Sequence, residues 1–88
     1  MQAAFFTQEE RIIILYRAAN LNIDQIADKL NRKFDEVNNC NKAIHKKVKT
    51  LYPNQHITGI LVLGIAVAMG EIKPNELVFI YATLHISF

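Results

Sequence analysis

Ile23-Asp24-Gln25-Ile26-Ala27-Asp28-Lys29-Leu30-Asn31-Arg32-Lys33-Phe34-Asp35-Glu36-Val37 is the stretch whose reading decides the fold. Ile23, Ile26, Ala27 and Leu30 fall at i, i+3, i+4 and i+7, which is one face of a helix. Asn22 stands just before them, where its side-chain oxygen can accept from the free N–H groups of the first turn. Asn31 follows the last apolar residue, and asparagine tolerates the left-handed conformation that ends a helix. Val37 restarts the apolar pattern. The spacing predicts a short helix, a tight turn and the start of another helix.

The same logic extends in both directions. Upstream, Thr7 and Glu10 have capping-box spacing, in which hydroxyl and carboxylate each satisfy a backbone N–H. A first helix is expected from about residue 8 to 19, with Ile12, Leu15, Tyr16 and Ala19 as its apolar stripe. Ile13 and Ile14 widen that stripe, and Asn20 closes the helix. Residues 1–6 read as an arm whose phenylalanines dock on the body. Downstream, a third helix is expected from Phe34 or Asp35 to about Leu51. Val37, Cys40, Ile44, Val48 and Leu51 form its inward stripe; Asn38, Lys42, His45 and Lys49 face solvent. Pro53 cannot continue the helix without cost, so a boundary falls at 51–54.

The pattern Ile26-Ala27, Leu30-Asn31-Arg32 and Val37 resembles the helix-turn-helix core of small tri-helical DNA-binding domains, those of Myb/SANT type and of sigma-factor region 4. That family usually carries Gly where Asn20 and Asn31 stand. Phe6-Thr7-Gln8-Glu9-Glu10 looks like its opening, with Phe6 in place of Trp. The similarity covers roughly residues 6–50 and implies a third helix that enters the major groove. It also implies backbone contact from Arg32.

After Pro53 only Glu71, Lys73 and Glu76 are charged. Two apolar segments, 57–69 and 77–88, are separated by Gly70-Glu71-Ile72-Lys73-Pro74, and each follows a Pro-Asn pair. Gly70 suits a left-handed cap and Pro74 a first helical turn, so a helical hairpin is expected. Alternation from Val78 to Phe88 with high β-branched content supports a competing reading, a C-terminal β-hairpin as in a winged helix. Asn75-Glu76-Leu77-Val78-Phe79-Ile80 and Leu84-His85-Ile86-Ser87-Phe88 also look like the oligomerising helix of the FtsZ-ring-associated cell-division protein A family. Arg17-Ala18-Ala19 is similar to that family's first helix. Its two N-terminal strands and long coiled coil have no counterpart here. The expected architecture is therefore all-α: a helix-turn-helix unit at 1–52 and an apolar hairpin at 53–88 that completes the core or dimerises.

Composition bounds the function. The 88 residues are 51% hydrophobic, which is high for so short a chain and points to self-association through residues 57–88. The net charge of +2 says little as a total, but between Glu36 and Glu71 the only charged side chains are Lys42, Lys46, Lys47 and Lys49, a local basic segment. If the third helix reads DNA, Asn38, Asn39 and Asn41 can pair with adenine edges. Lys42, Lys46, Lys47 and Lys49 would then mainly contact phosphate, with Arg32, Lys33 and His45 as further DNA-binding candidates. Asp35 and Glu36 at the start of that helix repel phosphate. A non-enzymatic adaptor or inhibitor that grips a protein partner is the alternative function. Dispersed histidines, one cysteine and no Gly-rich phosphate loop argue against an enzyme, a cofactor or a metal site. Absence of a signal-like N-terminus and of a bilayer-length apolar run suggests a cytoplasmic protein without a membrane partner.

Overall fold

The computed structural model describes residues 4–78. Four helices follow in order: α1 (Gln8–Ala18), α2 (Ile23–Leu30), α3 (Phe34–Leu51) and α4 (Gly59–Ala68). Residues 74–78 are helical as well, beginning at Pro74. No strand occurs among the described residues, as an all-α chain requires. The β-hairpin alternative finds no strand up to Val78, and the rest of the alternating run, 79–88, lies outside the described residues.

Local chemistry sets the helix starts. The Thr7 hydroxyl accepts from the Glu10 N–H at 3.1 Å, and the Glu10 carboxylate accepts from the Thr7 N–H at 2.8 Å. Asn22 and Gln25 repeat the exchange at 2.8 and 2.9 Å. The Thr58 hydroxyl accepts from Leu61 to open α4. α3 starts at Lys33 with no side-chain cap bond. Asp35 and Glu36 favour its first turn through charge instead.

Three helices stop in the same way. Asn20, Asn31 and Gly70 all have positive φ, at 72°, 53° and 75°. At each stop two backbone bonds close the end: Asn20 to Arg17 and Leu21 to Tyr16, Asn31 to Asp28 and Arg32 to Ala27, Gly70 to Val67 and Glu71 to Ala66. This paired 5→2 and 6→1 arrangement satisfies carbonyls that the helix leaves open. The sequence expected a left-handed residue at all three positions.

α1, α2 and α3 each touch the other two, and α4 packs along α1. One apolar cluster runs through them, including Phe6, Ile13, Ile14, Ile26, Val37, Ile44, Val48, Val62, Ile65 and Ile72. Phe6 is fully buried and Phe5 packs beside it, as expected of a docked arm. Each fully buried large side chain contributes about 1.5–3 kcal/mol.

Two stripes differ from expectation. On α1 the buried apolar residues are Ile13, Ile14, Leu15 and Ala18, while Ile12, Tyr16 and Ala19 are half-buried. α1 serves three neighbours, and α4 draws its buried arc round toward Ile14 and Ala18. On α3, Leu51 is 44% exposed because the core ends at Val48. Along α4, Val62, Ile65 and Ala66 face the core, whereas Ile60 and Val67 face outward; Met69, which caps the helix, is also exposed.

Candidate nucleic-acid interface

α3 turns three different faces to its surroundings. Val37, Ile44 and Val48 are buried against α1 and α2. On the far side Asn39, Lys42, Lys46 and Lys49 are exposed, spaced i, i+3, i+7 and i+10, so they form one stripe. Lys46 makes no ion pair with another described residue, but its backbone carbonyl accepts from Thr50 at 3.0 Å. The Lys49 ammonium reaches the Gln55 carbonyl at 3.5 Å, a long contact that leaves it in water. Asp35 lies at the N-terminal end of this stripe and is exposed.

The remaining expected residues divide between other places. Lys33 is exposed at the cap of α3. Arg32 pairs with Glu36 at 2.9 Å and with Glu9 at 3.1 Å. The hydrogen bond that Arg32 donates to Glu36 and the charges of Glu9 and Glu36 raise the Arg32 pKa. This guanidinium fastens the α2–α3 turn to α1, so a DNA backbone would have to compete with two carboxylates for it. Asn38 is half-buried on the flank of α3. Asn41 and His45 lie further round, in a pocket with Ile14 and Arg17 of α1 and residues 56–59. His45 was expected on the solvent stripe; the chain returning from Pro53 to α4 partly covers it.

Lys47 departs most from the phosphate role expected of the four lysines. Its ammonium donates to the Glu10 carboxylate at 2.6 Å and to the Phe5 carbonyl at 2.9 Å. It lies 5.9 Å from the centroids of both Phe5 and Phe6, a cation–π distance. Glu10 is almost fully buried, and a buried carboxylate persists only when paired and hydrogen-bonded. Nearby, the Glu71 carboxylate accepts from the Phe5 and Phe6 N–H groups at 2.6 and 2.8 Å. Arg11 donates to the Phe6 carbonyl at 3.0 Å. Lys47 thus belongs to a clasp that holds the arm to α1, α3 and the loop after α4.

Cys40 is half-buried against the core, within electrostatic reach of Glu9, Glu10, Arg32 and Lys47. Burial, followed by the charges of Glu9 and Glu10, pushes its thiol up to about 11. A thiol so rarely ionised is a poor nucleophile at neutral pH. Among the described residues no group of three or more His, Cys, Asp or Glu gathers as a metal site. No described helix is long and apolar enough to cross a membrane.

Sequence reading missed the meeting of His45 with His56 and Arg17, because the three residues sit on separate elements. The only available signal was the loop at Pro53, which had to bring the chain back. No family model, no curated protein and no solved structure matches this chain.

Proposed function

We propose that this chain is a small, non-enzymatic DNA-binding regulator that uses α3 as its contact helix. One observation carries the reading: Asn39, Lys42, Lys46 and Lys49 share an exposed stripe on a helix whose opposite side is buried. Such a stripe meets phosphate with three ammonium groups and offers one amide to a base edge. The ion pair of Arg32 with Glu36 offsets one of the two acids that would repel DNA at the start of α3. Lys33 adds a further cation at that end.

A mobility-shift titration on mixed genomic fragments tests the proposal. With three or four phosphates neutralised, affinity should fall roughly a hundredfold between about 50 and about 200 mM salt. Lys42→Glu with Lys46→Glu should abolish the shift while leaving the helical spectrum unchanged. Absence of binding at low salt, or binding indifferent to both salt and charge reversal, overturns it.

A second reading is a protein-binding adaptor or a self-associating chain that works through the outer face of α4. Ile60 is 70% exposed, and Val67 on the same side of the helix is exposed with it. Burial of that face against a second copy would also supply two contact helices for a palindromic site. Light scattering decides: a dimer mass that Ile60→Glu returns to monomer supports self-association, and a monomer at all concentrations removes it.

A further inference from the structure

The pocket between α1, α3 and the first turn of α4 has a volume of about 200 Å³. Its walls divide by chemistry. Ile14, Ile44, Ile57 and Val62 form an apolar side, and Arg17, Asn41, His45, His56 and Thr58 supply polar groups. Among the described residues, no acidic side chain lines it. Gly59 brings α4 within 3.4 Å of the Arg17 carbonyl, measured from where a β-carbon would stand, so the two helices meet closely at this wall.

The polar groups are incompletely used by the protein. Arg17 donates from Nη1 to the Leu21 carbonyl at 3.0 Å, and a guanidinium has four further N–H groups. Asn41 and His45 are half-buried, and neither side chain hydrogen-bonds to another described residue. Burial, with the adjacent charge of Arg17, lowers the His45 pKa. The titratable groups facing His45 are Arg17 from α1 and His56 from the returning loop; α4 contributes none. The pocket therefore holds a permanent cation, two imidazoles and an amide with no counter-charge from the described residues.

We propose that this pocket binds a small organic carboxylate, with its charged end among Arg17, Asn41, His45 and His56 and its apolar body over Ile14, Ile44 and Val62. An inorganic anion would leave the apolar side unused, and the volume admits a short chain or a single ring but not a nucleotide. The bound carboxylate supplies the missing negative charge, so it favours protonated His45, and binding strengthens as pH falls through the histidine range. This site does not depend on the DNA-contact stripe, from which Asn41 and His45 are rotated away.

Histidine ring resonances followed by NMR during titration with sodium benzoate, at constant ionic strength, test the proposal. Benzyl alcohol and inorganic phosphate serve as the neutral and the non-apolar controls. Expected are saturable shifts at His45 and His56 with millimolar benzoate, together with an upward move of the His45 titration midpoint. Arg17→Gln should weaken binding by about tenfold or more. Arg17 also holds Leu21, so Asn41→Leu, which crowds the polar end without touching that bond, provides an independent loss. The proposal is overturned by unsaturable shifts, by benzyl alcohol acting as benzoate does, by phosphate binding equally well, or by folded variants that retain full affinity.

Discussion

Around Phe5 and Phe6 the chain closes with charge, whereas along the outer side of α4 it leaves apolar side chains in water. At the first place Lys47, Glu10, Arg11 and Glu71 meet one another or backbone groups at hydrogen-bond distance. At the second, the described residues give Ile60 and Val67 on α4, and Met69 just after it, no comparable cover. The difference shows that hydrophobic content alone does not locate the core of so short a chain. The clasp fixes which apolar groups are inside, and α4 carries more of them than one side can bury.

The sharpest way to break this comparison is to truncate one apolar side chain in each region. Phe6→Ala should cost about 3–5 kcal/mol in urea unfolding, because it empties a fully enclosed site. Ile60→Ala should change stability by less than about 0.5 kcal/mol. Equal losses would mean that the α4 face is covered in solution, which would favour self-association.

Lys47→Met tests the charged side of the contrast. It leaves the Glu10 carboxylate enclosed with the Thr7 N–H as its remaining partner. The expected loss is about 1–2 kcal/mol, below that of a fully buried pair because the lysine side chain is one-third exposed. No loss would show that the clasp accompanies the packing of the arm without fastening it.

Asn31→Ala comes next, at about 1 kcal/mol, from placing a β-carbon at φ 53° without an asparagine side chain. Asn31→Gly should be neutral or slightly stabilising. These variants separate the shape of the α2–α3 turn from the ion pairs of Arg32 beside it.

The last test concerns the ionisation of Cys40. With its pKa raised from 9.0 to about 11, the folded state holds the proton more tightly than the unfolded chain does. Its contribution is complete below about pH 9 and is lost as pH rises through about 11. Alkylation of the folded protein near pH 8 should run roughly a hundredfold slower than that of a free thiol. A rate equal to the unfolded chain's would show that the side of α3 next to the clasp opens readily.

Much of the fold was legible because its signals are local. Thr7 with Glu10, Asn22 with Gln25, and the left-handed Asn20, Asn31 and Gly70 act within four residues of themselves, so spacing suffices to read them. The buried arc of α1 was not legible, since Ile12 through Leu15 are all apolar and only the position of α4 chooses among them. The basic stripe was half legible. Periodicity put Lys42 and Lys49 together, but it could not separate Lys46, which faces water, from Lys47, which reaches Glu10 37 positions earlier. His45 and His56 belong to different elements, and only the path of the chain after Pro53 unites them.

The carboxylate of Glu71 accepts the amides of Phe5 and Phe6 across 66 and 65 positions. On a ribosome those two amides are made before Glu71, and this acceptor exists only once the loop after α4 has been translated. For these two N–H groups the order of manufacture and the order of fastening therefore run opposite: each waits for an acceptor that lies 66 or 65 positions further along the chain.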